Sequence, residues 1–194
     1  ELAHGLLDGR IHVVDSPEQQ AGRPFETQLE HAVRTPQHGP GATKLPSVAG
    51  RVAHPAIVAD PAFPIHIYGV ALAGANVISV PLGNDQKFLD TIALVCERLF
   101  PKPKLLILNY PHNPTAMTVD PGFFEGVVEL AKRFKFAVIH DFAYGETLFD
   151  GYKAPSFLST KGAKDVGVEF TTLSKPYSMA GFRIGFVAGN NAMV

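Results

Sequence analysis

The stretch Leu105-Leu106-Ile107-Leu108-Asn109-Tyr110-Pro111-His112-Asn113-Pro114-Thr115 decides the fold. Its first four residues are apolar without alternation. A strand with one wet face would alternate, so both faces of this one must be covered, as in a parallel sheet with helices on either side. The run then ends in a polar turn that places two prolines around an asparagine. Taken alone, that turn reads as a rigid connection in which Asn113 bonds its own backbone.

The pattern repeats outward from there. Upstream lie strand-like Ala56–Val58, a helix through Ile65–Ala73, strand-like Val77–Val80 and a helix through Phe88–Leu99. Downstream come a helix through Phe123–Phe134 and strands at Ala137–Asp141 and Val166–Thr171. The Phe123–Phe134 helix is the clearest: Asp120 is placed to cap it and Pro121 suits its first turn. Phe124, Val127, Val128, Ala131 and Phe134 recur along one face at helical spacing. Strand–helix–strand repetition of this kind implies right-handed crossovers, an α/β class and a mainly parallel sheet. This reading covers residues 55–194. Residues 1–54 form a separate, poorly interpretable segment in which Ser16–Gly50 offers few large apolar side chains to bury.

Composition narrows the function classes. The 194 residues hold 17 Lys and Arg against 18 Asp and Glu, a formal net charge of −1, which argues against nucleic acid as the main partner. A 46% hydrophobic and 18% charged chain is too apolar to be disordered. No run approaches the roughly 18 apolar residues of a membrane span. One cysteine, Cys96, excludes an internal disulfide framework and a multi-cysteine metal site, and its place on a helix suits a small buried residue better than a nucleophile. The eight histidines show no metal-ligand spacing, so no metal is expected and His112 and His140 read as structural or surface residues. The expectation is a soluble cytoplasmic protein. The chain begins at Glu1 and stops at Val194 just after a strand-like run, and it reads as a piece of something longer.

Three polar clusters fall where strands end: Asn109–Thr115, Asp141–Tyr144 and Thr172–Lys175. In open α/β sheets ligands bind beyond the carboxyl ends of the strands, so the three converge on one pocket. Asp141 closes the apolar run Ala137-Val138-Ile139-His140, where a carboxylate is costly unless it is paired. A helix cap or a local lysine would satisfy it; so would a cation supplied by a ligand. Lys175 closes a strand beside small and hydroxyl residues. Such a lysine is either a solvated surface group or, in a pocket near other cations, an amine nucleophile able to form Schiff bases. Thr172 and Arg183 offer the hydroxyl and the bidentate guanidinium that suit a phosphate.

These residues resemble a known family. Asn109–Thr115, the Asp-x-Ala-Tyr of Asp141–Tyr144 and the Ser-Lys-x-x-x-Met-Ala-Gly-x-Arg-x-Gly of Ser174–Gly185 are similar to motifs of the class I/II aminotransferases, pyridoxal-phosphate enzymes of the aspartate-aminotransferase fold. Asp60–Gly69 and Tyr152–Ser156 are closest to the alanine and LL-diaminopimelate aminotransferase branch. The resemblance covers about residues 55–191 and implies a three-layer sandwich, the large domain of a fold-type I transferase. It also implies the cofactor pyridoxal 5'-phosphate, a homodimer, and transfer of an amino group from an amino acid to a 2-oxo acid.

Position by position, Lys175 matches the Schiff-base lysine that moves the substrate proton, and Asp141 the partner of the pyridine nitrogen. Asn113 and Tyr144 match the pair that hydrogen-bonds the cofactor's phenolic oxygen. Thr172 and Arg183 match phosphate ligands, and Phe63 the aromatic that stacks on the ring. The catalytic set is thus Lys175, Asp141 and Tyr144.

Two departures stand beside this. The family's phosphate-binding turn has only Gly41-Ala42-Thr43-Lys44 as a candidate, followed by the helix-interrupting Leu45-Pro46-Ser47. The family's carboxy-terminal small domain, with the arginine that clamps the substrate carboxylate, is absent from these residues. A carbon–sulfur lyase or decarboxylase of the same fold, or a non-catalytic aminotransferase-like binding module, stays open as an alternative.

Overall fold

The structure, a computed structural model, describes residues 54–194. The segment 1–54, except for His54, and the Gly41–Lys44 candidate turn therefore lie outside the described residues.

Six strands form one sheet in the order β2-β1-β3-β4-β5-β6, where β1 is Ala56–Asp60, β2 Val77–Pro81, β3 Leu105–Asn109, β4 Ala137–Asp141, β5 Gly167–Thr172 and β6 Gly185–Gly189. The first five strands run parallel, and β6 returns antiparallel against β5. Helices α1 (Pro64–Leu72), α2 (Gln86–Arg98), α3 (Pro121–Phe134) and the short α4 (Ala163–Val166) fill the crossovers.

Strand β3 shows why its apolar run does not alternate. Leu106 and Leu108 pack into a large cluster with Phe88, Ile92, Phe124 and Val127 of α2 and α3. Ile107 faces the other way, into a smaller cluster with Ala56, Val58 and Val70 of α1. Helices thus cover the sheet from both sides, the three-layer α/β sandwich expected from the sequence.

Local chemistry sets the helix ends. Pro64 opens α1 at a position where its missing N–H costs nothing. Asp85 caps α2 by accepting the Phe88 N–H at 3.1 Å. Asp120 stands at the N-cap of α3 as the sequence suggests, yet its side chain makes no capping bond, and Pro121 begins the helix without one. The far end of α3 carries Lys132 and Arg133 in its last turn, favourable to the helix dipole, and Lys135 closes it in a left-handed conformation at φ 58°. Gly126 permits close approach of the two helices, because a Cβ there would strike Leu89 Cδ1.

Register then positions the site. Asn109 pairs with Asp141 and Asp141 with Phe170, so β3, β4 and β5 end side by side.

Candidate active site

Four parallel strands release their chains on the same edge of the sheet. The loop after β1 leads through Phe63 into α1, and the loops after β3, β4 and β5 carry Asn113, Tyr144 and Lys175.

Asp141, the last residue of β4, has both oxygens engaged. The Ala143 N–H donates to Oδ1 at 3.1 Å, a short local turn. On the other oxygen, His66 Nε2 donates to Oδ2 at 2.9 Å, with side-chain exposures of 9% for the histidine and 24% for the carboxylate. The partner is neither a local lysine nor a helix end but a histidine from α1, 75 residues away in sequence. Phe63 packs edge-on against this imidazole at 5.9 Å between ring centres, so the aromatic singled out from sequence does stand beside Asp141's partner. Phe63 itself is 41% exposed. His66 was not singled out from the sequence. The signal available was a polar residue on the buried side of an apolar helix, three positions after Phe63.

The turn after β3 is held by Asn109, which stands first in the Asn109–Thr115 motif but has no role of its own in the sequence. Its Nδ2 donates to the Asp141 carbonyl at 2.8 Å, and its Oδ1 accepts the Asn113 N–H at 2.8 Å. Asn109 thus does the backbone bonding that the sequence assigned to Asn113. That frees the Asn113 amide, whose Nδ2 donates to the Tyr144 hydroxyl at 3.0 Å. His112 is buried in the same turn against the Thr115 hydroxyl at 2.9 Å. Burial is the main cause holding its imidazole below the ordinary 6.5; a hydrogen bond to the Pro61 backbone opposes this, and nearby His66 adds to it.

Lys175 Nζ stands over the Tyr144 ring, 5.9 Å from its centre. The lysine is exposed, on an open face rather than in an enclosed pocket. A concave spot of about 360 Å³ does exist at the far ends of α2 and α3, lined by Cys96, Glu97, Lys102 and Arg133, but it holds none of these residues. Thr172 uses its hydroxyl inside its own loop: it accepts the Ser174 N–H at 3.1 Å and lies 3.1 Å from the Ile184 carbonyl. Arg183 is exposed in a left-handed conformation at φ 53° and donates to the Ala180 carbonyl at 3.3 Å. Asp141, Asn113, Tyr144, Lys175 and Phe63 are therefore gathered around one strand edge. Thr172 ends β5, the strand whose loop carries Lys175, and the hydrogen bond Arg183 makes goes to Ala180 rather than to any of them. A second tie joins the loops after β4 and β5: Tyr177 donates to Glu146 at 2.8 Å, a bond that raises the phenol's pKa.

A parallel sheet with a carboxylate, an asparagine–tyrosine pair and a lysine at adjacent strand ends is the arrangement that the resemblance to the large domain of a pyridoxal-phosphate transferase implies. The chain belongs to the family "Aminotransferase class I and II", whose family model matches residues 18–194. That match starts upstream of residue 55, where the motif resemblance begins. Among relatives, the glutamate-pyruvate aminotransferase AlaC of Escherichia coli (strain K12) is 51% identical over 138 residues, 71% of this chain and 34% of that protein. The LL-diaminopimelate aminotransferase of Halothermothrix orenii is 34% identical over 190 residues, 98% of this chain and 49% of that protein. Among solved structures, substrate-bound BacF from Bacillus subtilis superposes with a TM-score of 0.64 at 35% identity, over 73% of this chain and 36% of that one. The chain thus spans between about a third and a half of the length of the curated relatives it matches.

Proposed function

We propose that this chain is the cofactor-binding part of a cytoplasmic, homodimeric aminotransferase that moves an amino group from an amino acid to a 2-oxo acid using pyridoxal phosphate. The observation that carries the reading is the linked set around β4: His66 on Asp141, Asn113 on Tyr144, and Lys175 Nζ over the Tyr144 ring.

The donor set suits the cofactor in its chemistry. A carboxylate answers a protonated ring nitrogen, an amide and a phenol answer a phenolic oxygen, an amine answers an aldehyde, and a hydroxyl with a guanidinium answer a phosphate. Bound pyridoxal phosphate supplies an aldehyde carbon that amines attack and a ring that withdraws electrons from the substrate Cα. Everything else falls to the chain. Lys175 Nζ is the amine that holds the cofactor and afterwards carries the proton taken from the substrate Cα. Asp141 would pair with the ring nitrogen, and His66 and the Ala143 N–H fix its two oxygens so that its orientation is settled before anything binds. Asn113 and Tyr144 form one hydrogen-bonded unit that orients the phenolic oxygen. Phe63 would cover one face of the ring; Thr172 and Arg183 would hold the phosphate by exchanging their present bonds to the Ile184 and Ala180 carbonyls for it.

The test is reductive trapping. Borohydride treatment of the chain mixed with pyridoxal phosphate should fix one cofactor mass on the peptide containing Lys175, accompanied by loss of a visible absorption band. Lys175→Ala should show neither. Cofactor fixed on another lysine, or none fixed in the parent chain, would overturn the reading.

A further inference from the structure

Strand β4 presents alternate faces, so that Asp141 lies on the site edge while His140 turns into the larger core. His140 is fully buried, with the Phe124 ring edge-on at 4.9 Å and Phe142 at 5.3 Å. Both of its ring nitrogens meet oxygen. Nδ1 lies 2.9 Å from Glu169 Oε2 on β5, and Nε2 lies 3.0 Å from the Tyr110 carbonyl.

With Glu169 as a carboxylate, neither oxygen has a hydrogen to give. A carbonyl only accepts. The Glu169 carboxylate already receives the Ser156 hydroxyl at 2.7 Å on Oε1 and the Phe157 N–H at 2.7 Å on Oε2. A neutral imidazole carries one N–H and would aim a lone pair at one of these oxygens, in a place where water cannot intervene. An imidazolium satisfies both, and the carboxylate beside it offsets the burial of its charge. The Tyr110 phenol points elsewhere, to the Gly83 carbonyl, which leaves Glu169 as the ionisable group in contact with the ring.

The bond to Tyr110 matters because of where Tyr110 sits. It opens the turn that delivers Asn113, and the same turn is held to β4 from its other side by Asn109 Nδ2 on the Asp141 carbonyl. We propose that His140, as a doubly donating imidazolium paired with Glu169, is a positioning residue that fixes the Tyr110–Asn113 turn so that Asn113 meets Tyr144. The relevance of that turn to catalysis rests on the function proposed above, but the charge state and the positioning do not.

Nitrogen-15 NMR of the histidine rings in the full chain at neutral pH reads the first claim without any cofactor. His140 should show two N–H protons, and a single one overturns it. Two variants read the second. In His140→Gln the amide reaches the Nε2 position and keeps the Tyr110 bond; in His140→Asn it reaches the Nδ1 position and keeps only the Glu169 side. Both lose the charge, and because the smaller Asn also leaves a void, amides of β4 and α3 away from the turn serve as the control for a merely structural effect. Hydrogen exchange at the His112, Asn113 and Ala116 amides should be about tenfold or more faster in the Asn variant than in the Gln variant. Equal rates would sink the positioning role. Should both variants unfold, Glu169→Gln keeps the shape, and there the His140 ring should drop to one N–H; retention of both protons would overturn the pairing. With pyridoxal phosphate added, the pH at which the visible band changes should move in His140→Asn and not in His140→Gln. If the parent chain takes up no cofactor, the proposed function fails while the NMR and exchange results still decide this one.

Discussion

The contact between His66 and Asp141 is the part of the site whose strength can be worked out most directly. A hydrogen bond to a charged group is worth about 1.5–3 kcal/mol in a protein, and partial solvent access lowers that. With the imidazole side chain 9% exposed and the carboxylate 24% exposed, about 1–2 kcal/mol of coupling is expected at neutral pH. His66→Ala should also forfeit its edge contact with Phe63 and expose part of the α1 packing, for a total cost of roughly 2–3 kcal/mol. Asp141→Asn keeps an oxygen for one of the two donors and should cost about 1–2 kcal/mol. Denaturant unfolding of the parent, both single variants and the double variant closes a thermodynamic cycle. The double variant should fall short of the sum of the singles by about 1–2 kcal/mol. Coupling below about 0.3 kcal/mol, within the scatter of independent sites, would refute the view that His66 sustains Asp141, whatever the distance between them. The same cycle repeated with pyridoxal phosphate bound asks whether the pair was built for the fold or for the cofactor, because a ring cation on Asp141 would change the coupling.

Three further outcomes follow from burial. His112 is held below its ordinary 6.5, chiefly by desolvation, so the unfolded chain binds its proton first; stability should be complete above that pH and decline as the pH falls below it, and His112→Gln should flatten that part of a stability–pH curve. Phe124 is fully buried and meets Phe123, His140 and Phe157 edge-on, so Phe124→Ala should cost about 3–5 kcal/mol by urea unfolding, and a cost under about 1 kcal/mol would mean the α3 face is not packed as described. Burial pushes the Cys96 thiol up to about 11, so the native chain should resist thiol reagents at pH 8 and react fully only after denaturation.

How much of this was legible in the sequence depends on the distance between cause and consequence. The ends of β3 and β4 were readable to the residue, since an apolar run that stops at a polar side chain is a local signal. Helix α3 was readable too, but the function given to Asp120 was not: a suitable residue stands at the cap, and whether its oxygen turns inward is decided by its neighbours rather than by its type. The site residues came from motifs, and motifs mark residues that touch a ligand. They are silent about residues that touch those residues. Asn109 stands in the motif, yet its role, joining the ends of β3 and β4, exists only once the strands are paired in register. His66 was missed for the same reason, since nothing within α1 announces a carboxylate 75 positions downstream. His140 is the sharpest case. By sequence it is a structural or surface histidine, and its full burial decides between the two. Its significance lies in having an acceptor at each ring nitrogen, contributed by β5 on one side and by the turn after β3 on the other. A network of that kind follows from topology, because the order β3-β4-β5 places a β4 side chain between two parallel neighbours. Once the strand order is known the network can be searched for, beginning with polar residues whose side chains enter the core from the middle strand of three and looking to the neighbouring strands and the turns that leave them.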